Sequence, residues 1–236
     1  MTPDRLSFAG YRFPAEIISH AVWLYFRFPL SLGMVEELLA ARSIVVSYET
    51  VRRWALKLDQ AFVNRIRRGL PRAGDKWHLD EIAVKIAGEQ HWLWRAVDGS
   101  GCVLDVLVQR RRDRRAAKRL LRKLLKRQGR PPRVLITDEL GSYAVAKQAI
   151  MPGVEHRRYK GRNNRAENSR QPTRRRERQM NRFKSARHAR RFRSSHDQIN
   201  NLFQLRRDQV SAAEYRAEHA RAMATWASVS DIAAAA

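Results

Sequence analysis

Trp77-His78-Leu79-Asp80-Glu81-Ile82-Ala83-Val84-Lys85-Ile86 alternates with the two-residue period of a strand. Asp80, Ile82, Val84 and Ile86 fall on one face, and Glu81, Ala83 and Lys85 on the other. An acid within a largely apolar strand is costly to bury unless something partners it. Asp80 therefore either lies at a solvated strand end or belongs to a site. Gly88-Glu89 signals a turn, and Gln90 to Val97 reads as a second strand. Asp98-Gly99-Ser100-Gly101 signals another turn, and Cys102 to Gln109 reads as a third strand. Strands on short glycine-containing turns predict an antiparallel meander.

Downstream, Asp113 is placed to cap a helix running to about Gln128. Ala117, Leu120, Leu121, Leu124 and Leu125 form its apolar stripe, and Arg and Lys fill much of the rest. Pro131-Pro132 ends it. Val134 to Ile136 is a short apolar strand from which Thr137-Asp138 emerges. Asp138 thus stands at the carboxyl end of a strand, where open α/β sheets place ligand sites. Its plainer alternative is to cap the helix expected over Leu140 to Ile150. Met151-Pro152-Gly153 breaks that helix, and Val154 to Tyr159 suggests a last strand. The order β-β-β-α-β-α-β-α predicts an α/β layer with mixed strands.

Upstream the pattern is helical. Pro14 to Phe28 carries a broad apolar face, and Pro29 stops it. Ser31 can cap a helix with Val35, Leu38 and Leu39 inward. Ser47 can cap a third with Val51, Trp54, Ala55 and Leu58 inward, leaving Arg52, Arg53 and Lys57 largely outside. Two short helices joined by a turn, the second basic, predict a helix-turn-helix whose second helix enters a DNA groove. An ordinary three-helix bundle with a solvated basic face is the plainer alternative. Gly69 to Asp75 reads as a linker, and Ala189 to about Trp226 carries two helical patterns, one with Ile199, Leu202, Phe203 and Leu205. The expected division is an all-α domain over 1–70, an α/β domain over 71–190 and a helical tail over 191–236.

The chain has 48 Lys and Arg against 23 Asp and Glu, a net charge of +25 and a pI of about 11.4. That surplus calls for a polyanion, either nucleic acid or an anionic membrane. No run of about 18 apolar residues is present to span a bilayer, and the start shows no secretory signal pattern. Cys102 is the only cysteine, which excludes an internal disulfide and a thiolate zinc cluster. A cytoplasmic, DNA-associated protein is the expectation. A disordered basic chain is the competing class, but six Trp and strong local periodicity oppose it.

The charge concentrates between His156 and Arg193, where sixteen Arg or Lys accompany only two acids, Glu167 and Glu177. If a helix starts near Asn164, Arg170, Arg174 and Arg178 share the face of Glu167. An acid leading an arginine stripe suits a metal ligand beside a phosphate track; a solvated Glu167–Arg170 pair is the plainer reading. Pro172 restricts the helix under either reading.

Asp80, Asp138 and Glu167 form a candidate set. Two carboxylates ~4 Å apart repel by about 4 kcal/mol at an effective dielectric near 20, so they stay ionised together only around cations. Hard oxygen donors select Mg²⁺, with Mn²⁺ as the alternative, and a pair of such ions suits displacement at a phosphodiester. Asp98 and Asp105 are possible replacements in the set. His78, His91 and His156 have no ligand spacing, and Trp92 and Trp94 read as core residues.

WHLDEIAVKIAG at 77–88, LWRAVD at 93–98, VLITDELGSYAVA at 134–146 and VEHRRYKGRNNRAENSRQPTRRRERQMNRFKS at 154–185 resemble the DDE transposases of the insertion-sequence six family. SLGMVEELLAARSIVVSYETVRRWALK at 31–57 is similar to that family's helix-turn-helix, so the resemblance covers nearly the whole chain. It implies a ribonuclease-H-like catalytic core with Asp80, Asp138 and Glu167 as the metal-holding catalytic acids, and Arg174 as a DNA contact. It also implies Mg²⁺-dependent cleavage at terminal inverted repeats, strand transfer into target duplex DNA, and a multimeric, typically dimeric, synaptic complex. The 28 residues between Asp138 and Glu167 make an interval somewhat shorter than the family's usual one. A nuclease of the same fold that joins no strands, and a DNA-binding regulator with an inactive core, are the alternatives.

Overall fold

The structure, a computed structural model, describes residues 6–69, 73–158, 183–204 and 210–232. The chain divides into two compact units, residues 71–194 and residues 1–70 together with 195–236.

The first of these units is built on one five-stranded sheet. Its strands are β1 (Lys76–Ile86), β2 (Glu89–Asp98), β3 (Val103–Gln109), β4 (Val134–Thr137) and β5 (Glu155–Arg158), in the spatial order β3-β2-β1-β4-β5. β2 runs antiparallel to both neighbours, while β1, β4 and β5 are mutually parallel. The meander and the mixed sheet are therefore as expected.

The hairpin between β1 and β2 turns one residue earlier than expected. Ile86 pairs with Glu89, and the two turn residues are Ala87 and Gly88, with φ of 50° and 85°. Positive φ at both central positions is the signature of a type I′ turn, whose twist matches that of the flanking strands. The match in twist places Ala87 in the left-handed region and draws Glu89 into the ladder. The two-residue turn then sets every pair upstream, including Asp80 opposite Arg95.

Helices α4 (Arg114–Gln128) and α5 (Gly141–Ile150) pack on one sheet face. Trp77, Leu79, Trp94, Ala96, Leu104 and Leu135 meet Leu120, Leu121, Leu124, Tyr143 and Ala146 there. Trp94 is fully buried, edge-on to Tyr143 at 5.4 Å, as its reading as core requires. The Asp113 side chain caps α4 by accepting from the Ala116 N–H at 2.9 Å, and Gly129 ends it with φ of 71°.

The second unit holds α1 (Ala15–Arg27), α2 (Leu32–Ala40), α3 (Tyr48–Gly69) and α7 (Ala212–Val229). The intervening helix α6 (Ala186–Leu202) contributes residues to both units. Residues 195–236, most of the helical tail expected over 191–236, group with the amino-terminal helices. Phe62 meets Trp226 edge-on at 5.1 Å, the Ser19 and Ser230 hydroxyls lie 2.7 Å apart, and an Arg27 N–H donates to Asn200 Oδ1 at 3.0 Å. α3 spans 22 residues, because Phe62, Val63 and Ile66 extend its buried stripe beyond Leu58. Residues 41–47 join it to α2 with Ser43 at φ of 61°, a longer connection than a tight turn. Ser47 Oγ accepts from the Thr50 N–H at 3.3 Å and so caps α3. Among the described residues, no helix is long and apolar enough to cross a membrane.

Candidate functional site

Asp80 lies mid-strand in β1 and is only 4% exposed, so it does not occupy a solvated strand end. It sits directly across from the equally buried Arg95 of β2, and paired residues of an antiparallel ladder share a sheet face. On the other side, β1 pairs with β4 as far as His78↔Ile136. Asp80 lies two residues beyond that last pair on β1, and Asp138 directly follows the carboxyl end of β4, the neighbouring parallel strand.

Asp138 does not cap α5, whose N-cap is Leu140 with no side-chain cap bond; its Oδ1 accepts from the Leu140 N–H at 3.1 Å, closing a turn just before the helix. Its Oδ2 faces Arg112 Nη2 at 3.6 Å, and its side chain remains about one-third exposed. The preceding Thr137 hydroxyl donates to the Asp138 carbonyl at 2.7 Å. That donation leaves the same oxygen as acceptor toward His156 Nε2 at 2.9 Å. Burial pushes the His156 pKa down, and Arg158 and Lys147 push it further. His156 thus braces the strand end as a neutral imidazole.

Glu81 points to the opposite sheet face from Asp80, toward α4 and α5, and its side chain is fully buried. Arg112 donates to its Oε1 through Nε at 2.9 Å and also through Nη2. Tyr143 donates to its Oε2 at 2.6 Å. Burial raises the Glu81 pKa, the Tyr143 and Arg112 bonds oppose that rise, and the charge of Asp138 adds to it. Tyr143 is held neutral far above its ordinary range, first by burial and then by the Glu81 charge. The Arg112 guanidinium also lies over the Trp92 ring at 5.0 Å.

Glu167, Arg170, Arg174 and Arg178 lie outside the described residues. Among the described residues, no three His, Cys, Asp or Glu side chains converge as a metal site. Asp80 and Asp138 nonetheless offer the hard oxygen donors that Mg²⁺ or Mn²⁺ takes. The replacements considered for the set have other work. Asp98 Oδ1 accepts from the Ser100 and Cys102 N–H groups and organises the second turn. Asp105 is buried and ion-paired to Lys123 at 2.8 Å and Arg127 at 3.2 Å, which ties α4 to β3.

On α3, Arg52, Arg53 and Lys57 are all exposed. Glu49 grips Arg52 through both carboxylate oxygens, at 2.7 and 2.6 Å, and reaches Arg53 at 3.4 Å. The Arg52 hydrogen bond is the main reason the Glu49 pKa falls to about 2. Lys57 Nζ sits 4.8 Å above the Tyr11 ring. A cavity of about 480 Å³ opens there, lined by Tyr11, Arg12, Ser47, Thr50, Arg53 and Lys57 among others. In the sheet unit, α4 exposes Arg114, Arg115, Arg119, Arg122 and Lys126 and contains no acid.

Reading the sequence alone missed Glu81, Arg112 and Arg95. The Arg95 position was recoverable in principle, since a two-residue turn at Ala87-Gly88 dictates Asp80↔Arg95 by counting. Arg112 and Tyr143 are 31 and 62 residues from Glu81, and no local pattern joins them.

A family model described as a DDE domain matches residues 74–206. The transposase for insertion sequence element IS257 in transposon Tn4003 of Staphylococcus aureus is 32% identical over 140 residues, covering 59% of this chain and 62% of that protein. The transposase for insertion sequence-like element IS431mec of Staphylococcus aureus strain Mu50 matches with the same identity and coverage. The match thus spans a little under two thirds of these relatives' length. Among solved structures, a chain of the simian T-cell lymphotropic virus intasome in complex with PP2A regulatory subunit B56 gamma superposes with a TM-score of 0.40 at 17% identity, over 63% of this chain and 57% of that one. The catalytic core domain of BIV integrase gives a TM-score of 0.34 at 14% identity, over 63% of this chain and 99% of that one.

Proposed function

The chain belongs to the DDE-domain family of insertion-sequence transposases, and on that premise we propose that it cleaves and joins DNA strands at the ends of a mobile element. The observation that carries this reading is the DDE-domain match over residues 74–206, which contain Asp80, Asp138 and Glu167, with Asp80 on β1 and Asp138 following the end of the neighbouring parallel strand β4. The three carboxylates are the proposed ligands of two divalent cations, Mg²⁺ with Mn²⁺ as a substitute. When bound, such ions supply activation of the attacking oxygen and charge neutralisation at the leaving one.

The protein's own part is binding and orientation. Asp80 is rigid because it lies inside a sheet strand. Asp138 is oriented by the Leu140 amide. The reacting phosphodiester would lie over the carboxyl ends of β1 and β4, with water as the first nucleophile and a DNA 3′-hydroxyl as the second. No protein nucleophile is required. Arg170, Arg174 and Arg178 are the proposed phosphate contacts beside Glu167.

The amino-terminal helices are the proposed reader of the terminal inverted repeats, through Arg53, Lys57 and Arg52 on α3. Arg52 would have to exchange Glu49 for a phosphate or a base edge. The net charge of +25 and the acid-free outer face of α4 support a duplex DNA partner. Pairing of two DNA ends calls for a second copy of the chain.

The test is a strand-transfer assay with duplexes carrying the repeats that flank the reading frame. The reading expects Mg²⁺-dependent release of a 3′-hydroxyl end, followed by a joined product. Cleavage without joining would indicate a nuclease, and end binding without cleavage a regulator. Binding should weaken by about 10³–10⁵-fold between 50 and 200 mM salt if roughly 6–10 phosphates are contacted.

A further inference from the structure

We infer that Glu81, Arg112 and Tyr143 are positioning residues for Asp138, fixing the plane of its carboxylate before any cation arrives. This inference rests on the reading of Asp138 as a metal ligand. Glu81 immediately follows Asp80, yet its side chain turns to the other sheet face and is fully buried. A lone buried carboxylate is costly, so its place in the core depends on its donors. Arg112 supplies two N–H donors to Oε1 and Tyr143 one O–H to Oε2.

The consequence for Asp138 runs through Arg112. A fork held by a buried carboxylate along one edge and lying over Trp92 has little freedom left. Its Nη2 faces Asp138 Oδ2 at 3.6 Å, while the Leu140 amide holds Oδ1 at 3.1 Å. The terminal torsion of an aspartate is broad and nearly two-fold. Two fixed groups, one on each oxygen, restrict it. The set also links β1, β2, the turn before α4 and α5 around the end of β4. Groups that orient a metal ligand in this way typically carry about 10–100-fold of the metal affinity.

A merely electrostatic role for Arg112 makes the opposite prediction. A cation beside Asp138 repels an incoming divalent ion, so its neutralisation alone would tighten metal binding. Positioning predicts that the same change loosens it.

The experiment measures Mn²⁺ binding to the full chain by the loss of the free-ion electron paramagnetic resonance signal, without DNA. R112Q and R112K are compared with wild type, with E81Q and D138N alongside. Positioning predicts that R112Q and R112K both weaken Mn²⁺ binding by about 10–100-fold, because lysine keeps the charge but not the fork. E81Q should follow in the same direction. Tighter binding by R112Q, or wild-type binding by R112K, would overturn the inference while leaving Asp138 as a ligand. Unchanged binding by D138N would instead overturn the metal reading and the inference with it. If the Arg112 variants fail to fold, Y143F serves in their place, since it removes one bond to Glu81 and retains both charges. A weakened Mn²⁺ affinity in Y143F supports the inference, and a wild-type affinity overturns it.

Discussion

The Tyr143 hydroxyl donates to Glu81 Oε2 at 2.6 Å, joining a fully buried ring on α5 to a carboxylate whose side chain is fully buried on β1. Removing the hydroxyl leaves that carboxylate short of a donor where no water replaces it. Y143F is expected to lower unfolding stability by about 1–3 kcal/mol, as measured by urea denaturation followed by near-ultraviolet circular dichroism. A change below about 0.5 kcal/mol would mean that Arg112 alone satisfies Glu81.

The same residue predicts an alkaline limit. Burial and the Glu81 charge raise the Tyr143 pKa well above 10.0, the first cause being the larger. The unfolded chain releases that proton near the ordinary value and the folded chain does not. The resulting stabilisation is therefore complete below about pH 10 and declines as the pH rises above it. Stability of the wild type should fall more steeply than that of Y143F above pH 10, by up to about 1.4 kcal/mol per pH unit. Parallel slopes would show that Tyr143 ionises freely in the folded protein.

Ala87 occupies the left-handed region at φ of 50° in the turn between β1 and β2. A Cβ is disfavoured there, and Asn-Gly is the pair that type I′ turns prefer. A87N is expected to stabilise the sheet unit by about 0.5 kcal/mol, an increase of roughly 1–3 °C in melting temperature. A lowered melting temperature would contradict the reading of Ala87 as strained by the turn.

Asp105 is an acid on a strand, buried like Asp80, but it is committed to Lys123 and Arg127. Both cations retain some solvent access, so its loss does not strand a charge in the core. D105N should cost about 1–2 kcal/mol of stability and leave strand cleavage at its wild-type rate below the melting transition. A cleavage defect in a fully folded D105N protein would return this residue to the candidate catalytic set.

How much of this was legible in the sequence depended on how local the signal was. Asp80 stood out because an acid interrupts a two-residue apolar period, and Asp138 because a strand ends immediately before it. The Asp113 cap and the Leu120, Leu121, Leu124 stripe of α4 were equally local, and the structure has both. Glu81 was passed over because its alternation placed it on the face away from Asp80, and its partners come from distant parts of the chain. The turn at Ala87 was misplaced by one residue, since alanine carries no turn signal and adopts its conformation only because the flanking strands demand it. The extension of α3 to Gly69 and the grouping of residues 195–236 with the amino-terminal helices depend on tertiary packing, as in the contact of Phe62 with Trp226.

The central claim is that Asp80 on β1 and Asp138 at the end of β4 hold the cations that drive strand cleavage. The most direct measurement is single-turnover cleavage of an end-bearing duplex by D80A, with DNA-end binding measured on the same preparation. The account predicts that cleavage and joining fall to background while end binding stays at the wild-type level. Unchanged strand cleavage by D80A would contradict it.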